Sequence, residues 1–216
     1  MCRHLTLVLG LVTLLGWNLA WGELPEPPGP GFQIPAGKTG EGVPVIASWS
    51  DDAGPDETFL LVGERLTDRV FVWGLDPSAP RGREIKPKVQ FCTGQMLAAT
   101  LPEHSYDGVF VVWVENDVGR SRAIVLNAPQ PWWCHPRKVK AGGVIRIFGR
   151  NLARRPHFGQ AFIYLESENG PGRWLPVSQS EKYQVVATIP GDIAVGRYHL
   201  WLHAGCGGDW GWGGPL

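Results

Sequence analysis

By spacing alone, the residues best placed for ligand chemistry are His199, Trp201 and His203, which alternate along one apolar run. Alternation puts all three on one face of a strand, with Tyr198, Leu200 and Leu202 on the other. Two imidazoles invite a metal ion. Residues four apart on a strand, however, lie ~13 Å from each other at ~3.3 Å per residue, too far to share one. A polar, aromatic outer face is the plainer reading. A second cluster, Asp51, Asp52, Asp56 and Glu57, offers oxygen ligands for calcium. Its spacing fits no EF-hand loop, and a solvated turn ahead of a strand accounts for it. The chain carries no Gly-x-Ser-x-Gly, no phosphate-binding glycine loop and no His-Glu-x-x-His. No catalytic residue, metal site or cofactor is therefore expected, and the chain reads as a non-enzyme.

Cysteine chemistry is limited by an odd count. Setting aside Cys2 at the extreme start leaves Cys92, Cys134 and Cys206, enough for one intramolecular disulfide. Cys134 and Cys206 are the candidate pair, because both fall in the second half of the chain. The alternative is three separate thiols, with Cys92 buried as a small hydrophobe.

Eleven tryptophans carry more information. Trp113 and Trp201 occupy matching places in an internal repeat, and with His199 and His203 they form a candidate ligand or interface face. Trp132 and Trp133 follow a Pro-Gln-Pro segment, and Trp210 and Trp212 lie near the last residue. Two uses compete. Exposed rings could stack on sugar rings, or they could bury contacts between modules or against a further domain. The second is favoured, since large exposed aromatic patches are rare away from interfaces.

The elements that must position these residues are short strands. The chain has 216 residues, 44% hydrophobic and 19% charged, with 20 basic and 20 acidic side chains. That supports folded cores, and the balanced charge argues against a nucleic-acid surface. Residues 1–22 read as a signal peptide: Arg3 and His4, an apolar run from Leu5 to Leu15, then Ala20-Trp21-Gly22 for cleavage. An uncleaved anchor is the alternative, but the run falls short of the ~20 apolar residues of a span. Export to the periplasm, the cell surface or the medium follows, with no membrane span after cleavage. Residues 23–42 are rich in Pro and Gly and read as a linker.

Beyond the linker the sequence repeats. Glu57 to Leu66 matches Gly143 to Leu152 at an offset of 86, each an apolar run followed by Gly, two polar residues and Leu. Ala99-Thr100-Leu101-Pro102 matches Ala187-Thr188-Ile189-Pro190 at 88, and the same offset aligns Gly108 to Val114 with Gly196 to Leu202. Val70 to Trp73 matches Ala161 to Tyr164 between these blocks. Two copies of one all-β module result: residues 43–128, a stiff junction at 129–131, and residues 132–216. Gly196, Tyr198 and Leu200 have the pattern of a tyrosine corner, whose hydroxyl bonds back to the backbone, and Phe110 stands at the matching place in the first copy.

The blocks Gly142 to Leu152 and Ala187 to Pro190 resemble the IPT/TIG family of immunoglobulin-like domains. More narrowly, residues 43–216 resemble the tandem amino-terminal modules of bacterial pectate-lyase-like β-helix proteins, on the segments 129–133, 146–152 and 211–216. The resemblance implies two tandem β-sandwiches acting as a non-catalytic accessory or binding segment of a polysaccharide-processing protein. It implies polysaccharide or a downstream catalytic domain as partner, and a longer polypeptide of which this chain is a fragment. A surface adhesion or protein-interaction module is the alternative, and an enzyme with an unrecognised site is the second. The first copy has a closing strand at Arg122 to Asn127. The second stops at Leu216, about where its own closing strand is expected to begin, so part of that strand should be missing and an edge left unpaired.

Overall fold

The computed structural model describes residues 40–74, 83–154, 160–167 and 172–216. The expected signal peptide and residues 23–39 of the linker lie outside the described residues.

Alternation of apolar and polar side chains dictates the strands. In Thr58–Glu64, Phe59 and Leu61 are fully buried while Leu60 and Val62 face outward. In Val144–Arg150, Ile145 and Ile147 are buried while Val144 and Arg146 face outward. This is the period-two signature of a sheet with one face on a core.

Eight strands form the first module: β1 (Val45–Trp49), β2 (Thr58–Glu64), β3 (Val70–Gly74), β4 (Arg83–Ile85), β5 (Lys88–Cys92), β6 (Met96–Thr100), β7 (Phe110–Val114) and β8 (Ile124–Leu126). Eight more form the second: β9 (Gln130–His135), β10 (Val144–Arg150), β11 (Phe162–Ser167), β12 (Arg173–Leu175), β13 (Val177–Ser180), β14 (Gln184–Thr188), β15 (Tyr198–His203) and β16 (Trp212–Gly213). The sheets are β1-β2-β6-β5 with β4-β3-β7-β8, then β13-β14-β10-β9 with β12-β11-β15-β16. Strand for strand the second module repeats the first, as an immunoglobulin-like sandwich. Each has its own core, one centred on Phe59, Leu61, Leu97 and Phe110, the other on Ile147, Leu152, Ile163 and Leu202. The two-sandwich reading is therefore what the chain adopts.

The repeated Gly-x-x-Leu motif has a steric cause. A Cβ on Gly63 would overlap the Val45 carbonyl oxygen, and one on Gly149 would overlap that of Gln130. Glycine thus admits the first strand of each module, which is bulged against its neighbour. Two residues on, Arg65 and Asn151 both take positive φ (54° and 56°), and then Leu66 and Leu152 drop into the cores.

Three placements differ from those read in the sequence. Register with β7 and β15 makes Phe71 the counterpart of Tyr164, two residues along from the sequence match; a shift of two keeps the same face. β9 begins at Gln130, so Gln130 and Pro131 of the expected junction are strand residues and residues 127–129 make the turn. The closing edge of the second module is occupied within the chain, although by a shorter strand. β16 pairs with Leu202 and His203, and Leu216 exchanges two backbone hydrogen bonds with Leu200. The chain loops through residues 204–211 before returning, and that detour hid the strand from the repeat comparison.

Candidate functional site

His199, Trp201 and His203 do share the outer face of β15, as alternation requires, but they are not an open triad. His199 is exposed, Trp201 half-buried and His203 buried. The returning segment covers His203. Its Nε2 donates to the Gly208 carbonyl at 2.9 Å, its Nδ1 accepts from the Gly205 amide at 3.1 Å, and Trp212 meets its ring edge-on at 4.9 Å. Both hydrogen bonds suit a neutral ring protonated on Nε2. Burial lowers its pKa to about 4, against small opposing effects of Gly208 and Asp209.

Trp113 and Trp201 hold the equivalent positions expected of them, each fixed in its own sheet. Trp113 Nε1 donates to Glu115 at 3.1 Å, its ring stacks on Phe71 (5.5 Å, 6°) and Arg120 lies over it. Trp201 Nε1 donates to Glu166 at 2.9 Å. Their polar edges are thus committed to neighbouring carboxylates.

The candidate disulfide is corrected. Cys134 and Cys206 are not joined. Cys134 packs against the second core from β9, whereas Cys206 is buried between the modules with Val109, Val125 and Ala204. Burial also pushes the Cys134 thiol pKa up, with Arg137 opposing.

The acidic cluster lies at the seam between modules. Asp51 pairs with Arg150, and Asp52 with Arg154 and Lys182. Arg154 also reaches Asp107, Nε to Oδ1 at 2.8 Å, and its Nη1 donates to Asn151 at 2.8 Å. Only 2% of the Arg154 side chain is exposed. Asn151 Nδ2 donates to the Asp51 carbonyl at 2.9 Å. Beside the charges, Gly207 (φ 90°) lies so close to Val109 that a Cβ would collide with it, and Trp210 packs alongside. These arginine partners lie about a hundred residues away in the chain, so Asp51 and Asp52 are a solvated turn by local sequence and part of a seam only in the fold.

The remaining tryptophans divide by environment. Trp212 is buried within the second module, 5.8 Å from Trp174, and Trp210 packs at the seam. Trp132 and Trp133 stay 56% and 45% exposed. The β9–β10 register slips between Phe148↔Trp133 and Gly149↔Pro131, so Trp132 is the extra residue of a bulge. A bulge re-aims its side chain. Trp132 accordingly turns outward, beneath Arg150 at 5.7 Å. Trp133 stacks on Phe148 (4.6 Å, 20°), with exposed His135 beside it and exposed Arg146 paired to His135 across the strands. Gln184 stands opposite Phe148 on β14. The result is an aromatic ledge bordered by hydrogen-bonding side chains, held against the seam through Arg150 and Asp51.

No family model and no curated protein matches the chain. Solved structures do. SGBP-B from a complex xyloglucan utilization locus in Bacteroides uniformis is 15% identical, with a TM-score of 0.30 over 80% of this chain and 48% of that one. SGBP-B of the Bacteroides ovatus mixed-linkage glucan utilization locus, in complex with a mixed-linkage heptasaccharide, is 17% identical, with a TM-score of 0.28 over 74% and 39%. The FN1-FN3 domains of chicken CNTN1 are 16% identical, with a TM-score of 0.24 over 80% and 64%. The chain therefore spans less than two thirds of each of these three.

Proposed function

We propose that this chain is a non-catalytic glycan-binding unit, an exported accessory of polysaccharide processing. In this reading the ledge of Trp132, Trp133 and Phe148 on the second module is the binding surface. Exposed Trp133, stacked on half-buried Phe148, carries the proposal. A pyranose ring presents an apolar C–H face that stacks on an indole, while its hydroxyls need donors and acceptors at the rim. His135, Arg146 and Gln184 supply these around the ledge. Asp51, Asp52 and Asp107 are bound to cations at the seam, so this acidic cluster joins the two modules and leaves the ledge to Trp132, Trp133 and Phe148.

Retention on insoluble cellulose and pectin tests the reading. The native protein should be retained on at least one, with Trp132→Ala and Trp133→Ala each weakening retention by ~10-fold or more, as expected for aromatic anchors. Trp113→Ala should leave retention intact, because its indole is committed within the first module. No retention on any glycan, or full retention by the Trp132→Ala/Trp133→Ala double variant, would sink the idea.

A further inference from the structure

The two modules differ at one end of the sandwich. In the first, the β6–β7 connection places Tyr106 across the mouth of the core, buried and packed on Phe110 at 5.3 Å. Gly74 and Gly108 make room for it, since a Cβ on either would press into the Tyr106 side chain. The β14–β15 connection has the same length and the same turn, with the Ser105 amide bonding to Pro102 and the Ile193 amide to Pro190. Its residue at the place of Tyr106 is Ala194. The ring is absent, and Tyr198, the counterpart of Phe110, bonds its hydroxyl to the Ala194 carbonyl at 2.8 Å. A cleft of about 980 Å³ opens there. Ile145, Leu165, Ile189 and Leu200 line its floor, and Arg137, Lys138, Lys140 and Arg197 its rim, with no Asp or Glu side chain among the lining residues.

We infer that this cleft is a docking site for an acidic polypeptide segment that inserts one aromatic side chain where Tyr106 sits in the first module. Four observations converge. The fold itself shows that an aromatic ring fills the equivalent space. The equivalent end of the first module is already a protein interface, since Asp51, Asp52 and Asp107 there bind Arg150, Arg154 and Lys182 of the next module. Val195, the counterpart of interfacial Asp107, is fully exposed. The charge at this end is reversed, acidic in the first module and basic in the second. A further module with a basic receiving face like that of Arg150 and Arg154 would be repelled, and an acidic partner is attracted.

The probe is a synthetic decapeptide of aspartate and glutamate with one central tyrosine, titrated calorimetrically into the full chain. Binding should weaken by ~10-fold or more when the tyrosine is replaced by alanine, as for an anchor residue. The Lys140→Glu/Arg197→Glu variant should weaken it as well. Ala194→Tyr should abolish binding while holding or raising Tm, because it rebuilds the plug of the first module. Equal binding by the alanine peptide, unchanged binding by a folded Ala194→Tyr variant, or no peptide binding at all overturns the proposal. So does equally tight binding of free 3-phenylpropionate, which would make this a small-molecule site, or self-association of the chain that the peptide does not compete away. If Ala194→Tyr does not fold, the charge-reversal pair decides. The cleft is separate from the Trp132–Trp133 ledge, so either site can fail without the other.

Discussion

Arg154 of the second module and Asp107 of the first meet at 2.8 Å across the seam, with the guanidinium almost wholly enclosed. The same guanidinium holds Asp52 and Asn151. One side chain thus ties two loops of one domain to a buried turn of the other, and it sets the angle at which the aromatic ledge is presented.

Replacing Arg154 should loosen the pair. Arg154→Met keeps the length and removes the charge. Asp52 retains Lys182 and Asp107 can rehydrate, so the cost falls below the ~3–5 kcal/mol of stranding a buried charge; about 1–3 kcal/mol is expected. Calorimetry should show the melting transition broaden or split into two, and small-angle scattering should show a wider range of particle dimensions. A Met variant with native scattering and native Tm would mean that the apolar contacts of Val109 and Cys206 hold the seam alone. Arg154→Lys should rescue only in part, since an ammonium cannot serve three acceptors as a planar fork.

Acid should open the same seam. Burial pushes the Asp52 carboxyl up, but Lys182 and Arg154 together outweigh it and hold its pKa below the usual 3.8. A depressed carboxylate contributes stability that is fully present above its unfolded pKa and is lost as pH falls through the folded value. The seam should therefore persist down to about pH 4 and give way below it. Scattering from Asp52→Asn at neutral pH should resemble that of the native chain in acid. Equal particle dimensions at pH 7 and pH 2.5 would contradict this.

His203 responds in a higher window. Its folded pKa of about 4 lies below the usual 6.5. The unfolded chain takes up this proton first, so stability is complete above pH 6.5 and declines as pH falls toward 4, by about 3 kcal/mol in all. Protonation also puts a hydrogen on Nδ1, against the Gly205 amide. Denaturant titrations from pH 7.5 to 4 should show this slope, and His203→Gln, which cannot titrate, should flatten it. An unchanged slope in that variant would assign the acid loss to another group.

Asn127 should tolerate little. It is fully buried at φ 67°, its Oδ1 accepts from the Ala53 amide at 2.8 Å, and its Nδ2 donates to the carbonyls of Ala53 and Gly108. Asn127→Asp turns a double donor into a carboxylate facing two carbonyl oxygens, and should cost roughly 3 kcal/mol or more. Urea unfolding measures this directly, and a loss under ~1 kcal/mol, the worth of a single neutral hydrogen bond, would show that the turn adapts.

Much of the fold is legible in the sequence. Alternation of Phe59 with Leu60 and of Ile145 with Val144 states which face is buried, because strand geometry sends neighbours to opposite sides. The tyrosine corner at Tyr198 was legible for the same local reason, since its acceptor lies four residues away at Ala194. Less of the site could be read. Trp113 and Trp201 are equivalent in the repeat, yet Glu115 and Glu166 already hold their indole N–H groups. Trp132 counted as one of a pair after prolines, and only the slipped register of β9 turns it outward. The Cys134–Cys206 pairing assumed that one module means one core, whereas Cys206 leaves its module to line the seam.

Local patterning is enough for the all-β class, the two copies and their strand faces. All of these depend on neighbours within a few residues or on a motif written twice. The tertiary structure alone decided the seam, the enclosed His203 and the open cleft beside Ala194. Asp52 and Arg154 are 102 residues apart, and no periodicity links two charges that meet only when separate sandwiches dock. The cleft likewise arises from a ring present in one copy and missing in the other. A missing ring becomes a cavity only once the strands around it have closed.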